Sequence, residues 1–266
     1  MAAEKTRLDK YLAQSGISTS REKAAREIVS GWVKVNGETV HDVAHVVTGA
    51  ETITVERPGG LFVSRGGEKL SRALSFFSID VNGLVCADLG ASTGGFTDCL
   101  LKNGATKVYA IDVGYGQLDY GLRTDPRVIV MERTNARALE PSMFAEKISF
   151  VSADLSFISF TKVYEHIVRV FGDVHGAALI KPQFEADRSE HKKGVVTKAE
   201  NHIVILNRTL ESLSASGICL KGLTHSPIKG PKGNIEFLLY FSTFDDGAVS
   251  VDVPSVVQNA HSELSD

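Results

Sequence analysis

Four ionisable side chains carry the chemistry this 266-residue chain is equipped to perform: Lys69, Asp154, Lys181 and Glu236. A hydroxyl is a weak nucleophile and must lose a proton as it attacks. A lysine can take that proton only if its pKa falls from about 10.4 toward neutrality. A second lysine nearby and burial away from water both push it down, while carboxylates oppose the fall and orient the amines. Two lysines and two carboxylates around one reacting centre are therefore a coherent set. Each residue taken alone also reads as a solvated charge. Lys181, in L-I-K-P-Q-F-E, and Glu236, in G-N-I-E-F-L-L-Y, are harder to dismiss, because they adjoin apolar strands and unpaired burial is costly.

A second group of residues surrounds Val85 to Leu101, V-C-A-D-L-G-A-S-T-G-G-F-T-D-C-L-L. An apolar strand ends at Asp88. The chain breaks through Gly90, Ser92, Thr93, Gly94 and Gly95, and an apolar-periodic helix resumes at Phe96. A strand turning through glycines into a helix gathers backbone N–H groups and the positive helix end at one point. Asp112, ending the next strand in A-I-D-V-G, can accept hydrogen bonds from two ribose hydroxyls. NAD and S-adenosylmethionine both offer such a ribose. The loop reads G-A-S-T-G-G and departs from the dinucleotide spacing G-x-G-x-x-G. That favours S-adenosylmethionine, which has no pyrophosphate to seat on the helix end.

The methylated atom follows by elimination. Base-carbon enzymes acting on pyrimidines generally need a cysteine, commonly after proline, and none of the seven prolines precedes cysteine. Base-amine enzymes commonly use an (N/D/S)-P-P-(Y/F/W) loop after the fourth strand. That stretch here, Ala153 to Ser159, reads A-D-L-S-F-I-S. A hydroxyl target remains, which is the chemistry of the lysine–carboxylate set.

The elements that must position these residues alternate. Patterning predicts strands at 84–88, 107–111, 128–131, 148–153, 174–181, 218–224 and 235–242, with helices at 94–102, 117–123, 161–171 and 199–216. The order argues an α/β fold: a mainly parallel seven-stranded sheet with helices on both faces, its last two strands paired antiparallel at one end. Ligands bind such sheets at the carboxyl ends of the strands, where Asp88, the glycine loop, Asp112, Asp154 and Lys181 fall. A helix from Glu68 to about Phe77 precedes the first strand and brings Lys69 near that edge. The layout resembles a class I, Rossmann-like methyltransferase.

A smaller α+β unit fills residues 1–60. A short amphipathic helix starts at Arg7. Ser18-Thr19-Ser20 offers N-caps for a second helix through about Ser30, with Ala24, Ala25, Ile28 and Val29 inward. Trp32 to Val40 reads as strand, Asn-Gly turn and strand, and Ile53-Thr54-Val55 closes the unit. The helix pair carries Arg7, Lys10, Arg21, Lys23 and Arg26, with Lys34 just beyond. These read either as a solvated face interleaved with Glu22 and Glu27, or as a surface for RNA phosphates. The stretches R-L-D-K-Y-L and S-R-E-K-A-A-R-E-I-V-S-G-W-V-K-V-N-G resemble an S4 RNA-binding domain. Arg57-Pro58-Gly59-Gly60 is the expected domain boundary, residues 61–67 a linker, 61–244 the large domain and 245–266 a mobile tail.

Net charge is −3, so no global basic field announces nucleic acid. Residues 1–75 hold 11 basic and 9 acidic side chains, a small local excess. No apolar run approaches the roughly 20 residues of a membrane span, and no signal-peptide core follows Met1. The three cysteines lack metal-ligand spacing, so reduced thiols in a cytoplasmic protein and no metal are expected.

Lys69, Asp154, Lys181 and Glu236 match the order of the Lys-Asp-Lys-Glu tetrad of FtsJ-like ribose 2′-O-methyltransferases. An S4 domain fused to that fold resembles the TlyA, or hemolysin A-like, family. Matching stretches include S-R-G-G-E-K-L, D-V-G-Y-G-Q-L, E-R-T-N-A-R, D-L-S-F-I-S, K-P-Q-F-E and S-P-I-x-G-P-K-G-N-I-E-F-L, within Thr6 to Tyr240. The resemblance implies methylation of cytidine ribose in 16S ribosomal RNA, 23S ribosomal RNA or both, with ribosomal subunits as partners; a monomer is the expected working form. By that resemblance Lys181 is the general base. Lys69 depresses its pKa and helps to position the sugar, Asp154 orients the amines beside the methyl donor, and Glu236 completes the network. The same resemblance packs Phe157 on the cofactor, brings Asn135 toward the adenine, and sets Arg65, Arg133 and Arg137 against RNA. Asn135 reads equally as a helix N-cap, Arg133 and Arg137 as solvated charges, and Lys192-Lys193-Gly194 as a surface loop or an RNA contact. The alternatives are a catalytically silent RNA-binding protein, a hemolysin, and a small-molecule O-methyltransferase.

Overall fold

The computed structural model describes residues 5–18, 20–55, 61–187 and 194–265. The expected boundary at Arg57–Gly60, the cap candidate Thr19 and the pair Lys192-Lys193 lie outside these residues.

The N-terminal unit comprises β1 (Thr6–Arg7), α1 (Leu8–Gln14), α2 (Arg21–Val29), β2 (Val33–Val35), β3 (Glu38–Thr39), β4 (Val46–Val47) and β5 (Ile53–Val55). Ser20 caps α2 by accepting from the Lys23 N–H at 3.1 Å, which satisfies one orphan donor of the first turn. Leu8, Leu12, Ala24, Ile28, Val33, Val35 and Val47 form a core made only of this unit's residues. Glu27 departs from the expected solvated face: it is buried and accepts a hydrogen bond from Ser18 Oγ.

The larger unit runs α3 (Gly66–Phe76), β6 (Val85–Leu89), α4 (Gly95–Lys102), β7 (Lys107–Ile111), α5 (Tyr120–Arg123), β8 (Val128–Met131), β9 (Phe150–Ala153), α6 (Thr161–Phe171), β10 (His175–Ile180), α7 (Pro182–Glu185), α8 (Ala199–Ala215), β11 (Cys219–His225), β12 (Phe237–Ser242) and α9 (Val253–Glu263). The sheet order is β11-β12-β10-β9-β6-β7-β8. Only β12 is antiparallel, inserted between β10 and β11. Both faces are covered, as a largely parallel sheet requires. Cys86, Val108, Phe150 and Ala177 pack under α3, α4 and α5, and Ala87, Tyr109, Val151 and Ala178 under α6, α8 and α9.

Strand parity selects the residues that meet. Ala153, Ile180 and Phe237 belong to the α6–α8–α9 face. Their immediate chain neighbours at that end of the sheet, Asp154 after Ala153, Lys181 after Ile180 and Glu236 before Phe237, therefore turn to the opposite face, where α3 lies. β9, β10 and β12 are neighbours, and Ile180 pairs with Phe237, so the three groups form a row at one end of the sheet.

Two sequence expectations are corrected. The segment after Asp245 is not a mobile tail: α9 buries Val253, Val257 and Ala260 in the larger core, and His261 Nε2 lies 3.0 Å from His202 Nδ1 on α8. The apolar spacing of Val253, Val257 and Ala260 is helical, but an acidic, Ser-rich setting hid it. The stretch 61–67 is likewise no loose linker, because Val63 N–H donates to Asp98 at 2.8 Å and α3 begins at Gly66. Among the described residues no helix is long and apolar enough to cross a membrane.

Candidate active site

Close backbone approach brings the N-terminus of α3 to that of α4. A methyl group built on Gly95 would run into Ser64 Oγ and lie 2.7 Å from Gly67 N, so only glycine permits the contact. The contact sets Lys69, on the second turn of α3, over the row of Asp154, Lys181 and Glu236.

Lys69 Nζ lies 2.6 Å from Glu236 Oε2 and 4.0 Å from Asp154 Oδ2, and Lys181 Nζ lies 2.5 Å from Asp154 Oδ1 and 3.2 Å from Ser156 Oγ. Lys69 and Lys181 are each under a tenth exposed, and Glu236 is fully buried. Burial works to lower the Lys69 pKa, but Asp154 and Glu236 outweigh it and hold the ammonium above its ordinary value. Burial likewise works to raise Asp154, and Lys181 and Lys69 outweigh it, leaving the carboxyl below its ordinary value. Glu236 Oε1 has no hydrogen-bond partner among the described residues, so the network keeps an acceptor in reserve.

Two adjoining cavities meet at Asp154, Ser156 and Phe157. One, of about 490 Å³, lies between the glycine loop and the ends of β7 and β8, lined by Gly90, Ser92, Ile111, Asp112, Asn135 and Ile158. The other, of about 380 Å³, holds Lys69 and Lys181 together with Arg65, Phe96, His41 and Lys229.

The first cavity suits S-adenosylmethionine. Its volume is that of a small-molecule site. Asp112 accepts from Ser92 N–H on one oxygen (2.8 Å) and from Gly114 N–H on the other (2.6 Å). Each oxygen keeps a second lone pair for a ribose hydroxyl. Four N–H groups of the glycine loop are already bonded within the protein: Gly90 and Ala91 both donate to Ile111 O, Ser92 to Asp112, and Gly94 to Ala91 O. A pyrophosphate would find those four donors taken, which weighs against the dinucleotide alternative. Gly90 is required for the approach of β9, since a methyl there would overlap Asp154 O. Asn135 accepts from Arg137 N–H as an N-cap and also lines the cavity. Phe157 also lines it; the residue is 91% exposed, and its ring centroid lies 5.3 Å from that of Phe184.

Other expected cofactor residues sit elsewhere. Thr93, Gly95 and Phe96 line the lysine cavity, and Gly94 lines neither, its positive φ of 98° setting the turn into α4. Asp88 is corrected outright. It lies inside β6, fully buried beneath α4, and its oxygens accept from Thr97 Oγ1 at 2.7 Å and Ser152 Oγ at 2.9 Å.

Of the basic residues, Arg65 joins the lysine cavity, Arg137 lines the other, and Arg133 covers the Tyr115 ring at 4.3 Å. Arg7 and Arg21 both bind the buried Asp9, at 3.1 and 2.7 Å, while keeping about half their surface exposed. Lys10 is exposed and Lys34 half-buried, and Lys23 and Arg26 line a crevice facing Asp119. Sequence reasoning missed Ser156, although it stands two residues after Asp154, and His41. His41 belongs to the N-terminal unit and reaches the cavity by tertiary packing alone. Burial lowers its pKa, reinforced by Arg65 and Lys69.

Comparison with known proteins bears on the family and the fold. The profile of the FtsJ-like methyltransferases matches residues 62–243, and that of the S4 domain matches residues 6–53. The 16S/23S rRNA (cytidine-2′-O)-methyltransferase TlyA of Mycobacterium tuberculosis is 40% identical over 255 residues, 93% of this chain and 94% of that protein. Hemolysin A of Brachyspira hyodysenteriae is 44% identical over 238 residues, 88% and 99% of the two chains. A provisionally named hemolysin of solved structure from Streptococcus thermophilus superposes with a TM-score of 0.75 at 38% identity, covering 98% of each chain.

Proposed function

This chain belongs to the FtsJ-like methyltransferase family and carries an S4 domain ahead of that fold, and we infer from this that it transfers a methyl group from S-adenosylmethionine to the 2′-hydroxyl of a cytidine in ribosomal RNA. The observation that carries the reading is the Lys69–Asp154–Lys181–Glu236 network standing where two cavities adjoin. When bound, S-adenosylmethionine supplies an electrophilic methyl group on a sulfonium. Asp112 holds its ribose hydroxyls and Asn135 stands at its adenine. The target ribose enters the lysine cavity, where Lys181 takes the 2′-hydroxyl proton. Lys69, kept charged by Glu236 and Asp154, supplies the neighbouring positive charge and holds the sugar. Asp154 orients the Lys181 amine from the border between the cavities.

The S4 unit and the arginines Arg65, Arg133 and Arg137 grip the RNA backbone around the target. In this reading the protein works as a monomer in the cytoplasm, among ribosomal subunits. Cytolysis, which the names of two relatives suggest, finds no side-chain arrangement in its favour among the described residues. Incubating the protein with labelled S-adenosylmethionine and isolated subunits, and mapping ribose methylation in RNA from cells with and without it, tests the assignment. The expected product is 2′-O-methylcytidine at a site lost from deficient cells. Tight RNA binding with no transfer to either subunit would identify a silent module instead.

A further inference from the structure

We propose that Ser156 is a positioning residue for proton transfer, fixing the rotation of the Lys181 amine so that its lone pair faces the reacting hydroxyl. The proposal rests on the 2′-O-methyltransferase reading. To accept a proton Lys181 must be a neutral amine, which has two N–H donors and one lone pair around nitrogen. The structure supplies an acceptor for each donor: Asp154 Oδ1 at 2.5 Å and Ser156 Oγ at 3.2 Å. Both acceptors lie on the segment after β9, at the border of the two cavities. With both N–H groups turned to that segment, the lone pair takes the remaining position, away from it and into the lysine cavity.

Asp154 alone cannot enforce this. One N–H would stay on the carboxylate, while the second N–H and the lone pair could exchange places. In the exchanged state the amine donates to the hydroxyl oxygen instead of accepting its proton, a hydrogen bond of the wrong polarity for catalysis. Ser156 removes that state. The next residue, Phe157, keeps the uncommon φ of 64°, which sets the course of this segment.

In the step itself, the hydroxyl proton moves to the Lys181 lone pair, and the O–H bonding pair stays on oxygen. The oxygen forms the bond to the methyl carbon, and the old carbon–sulfur pair leaves with sulfur. A neutral thioether and a charged Lys181 result. The new ammonium has three donors, two of them already placed on Asp154 and Ser156.

The test uses the full-length enzyme with Ser156→Ala, Ser156→Thr and Lys181→Ala, following kcat and KM on ribosomal RNA and the cofactor's dissociation constant by calorimetry. Ser156→Ala is expected to lower kcat about tenfold, the factor one ordinary hydrogen bond supplies, leaving KM and cofactor affinity within about twofold. Ser156→Thr, which restores the hydroxyl, should return kcat to within about threefold of wild type. Wild-type kcat in Ser156→Ala, beside an inactive Lys181→Ala, would strike out the Ser156 role alone. Equal damage in the Ala and Thr variants with cofactor affinity falling in step would also overturn it, by marking a merely structural serine. A wild type that transfers no methyl group would overturn the methyltransferase reading and this proposal together.

Discussion

At the scale of single residues, the same charge type has opposite fates depending on which way its strand turns it. Asp154, one step beyond β9, meets two lysines and stays ionised. Asp88, inside β6, meets the hydroxyls of Thr97 and Ser152 and the backbone N–H of Thr97, and burial drives its pKa up to about 7 against those hydrogen bonds. The folded pKa thus lies above the unfolded carboxylate value of about 3.9. Asp88 therefore contributes stability that is complete below the unfolded pKa and is lost as pH rises through about 7. Urea unfolding should show wild type losing about 3 kcal/mol between about pH 5 and pH 8 that Asp88→Asn does not lose. A wild type and variant with parallel pH dependence would remove Asp88 as the cause. The burial of Asp88 was not legible in the sequence, because a strand end and a strand interior differ by one residue and boundaries are read less finely than that.

At the scale of elements, the site depends on two helix starts lying against each other. Gly95 opens α4 where Ser64 and Gly67 lead into α3, and α3 holds Lys69 in the network. Gly95→Ala should force the two apart. We expect a stability loss of about 1–3 kcal/mol by urea unfolding and at least about a tenfold fall in methyl transfer as Lys69 leaves Glu236 and Asp154. Unchanged activity in a destabilised variant would show that the α3–α4 contact serves folding only. The glycines were legible in the sequence as a turn. Their second use, admitting another backbone, was not, because the approaching residue lies 28 positions earlier in the chain at Gly67. β12 shows the same limit: its antiparallel pairing was legible, but its insertion between β10 and β11, which brings Glu236 beside Lys181, was not.

At the scale of the molecule, the N-terminal unit is more than an appended grip. It has its own core, yet Val29, Ser30 and His41 line the lysine cavity. Removing residues 1–60 therefore takes away both the cations proposed to meet RNA and one wall of the lysine cavity. The remainder keeps the two cores of the large sheet and should stay folded by circular dichroism. Its transfer to ribosomal RNA should be lost, measured with labelled cofactor and isolated subunits. A truncated protein as active as the full chain would return the small-molecule reading to contention.

The sequence by itself determined the α/β order, the turn after β6, the carboxylate after β7 and the types of the four network residues. Those features are local: hydrophobic period, glycine and strand-end chemistry are set by near neighbours in the chain. It also pointed to a hydroxyl target by the motifs it lacks. Tertiary structure alone decided which charges meet. Lys69 and Glu236 are 167 positions apart and lie 2.6 Å apart. Their meeting depends on strand parity, on the order of β12, β10 and β9, and on the glycine contact that seats α3. Asp88 went under α4 and His41 into the cavity for the same reason: burial and pairing of a charge are settled by whatever packs against it, and that partner comes from a distant part of the chain.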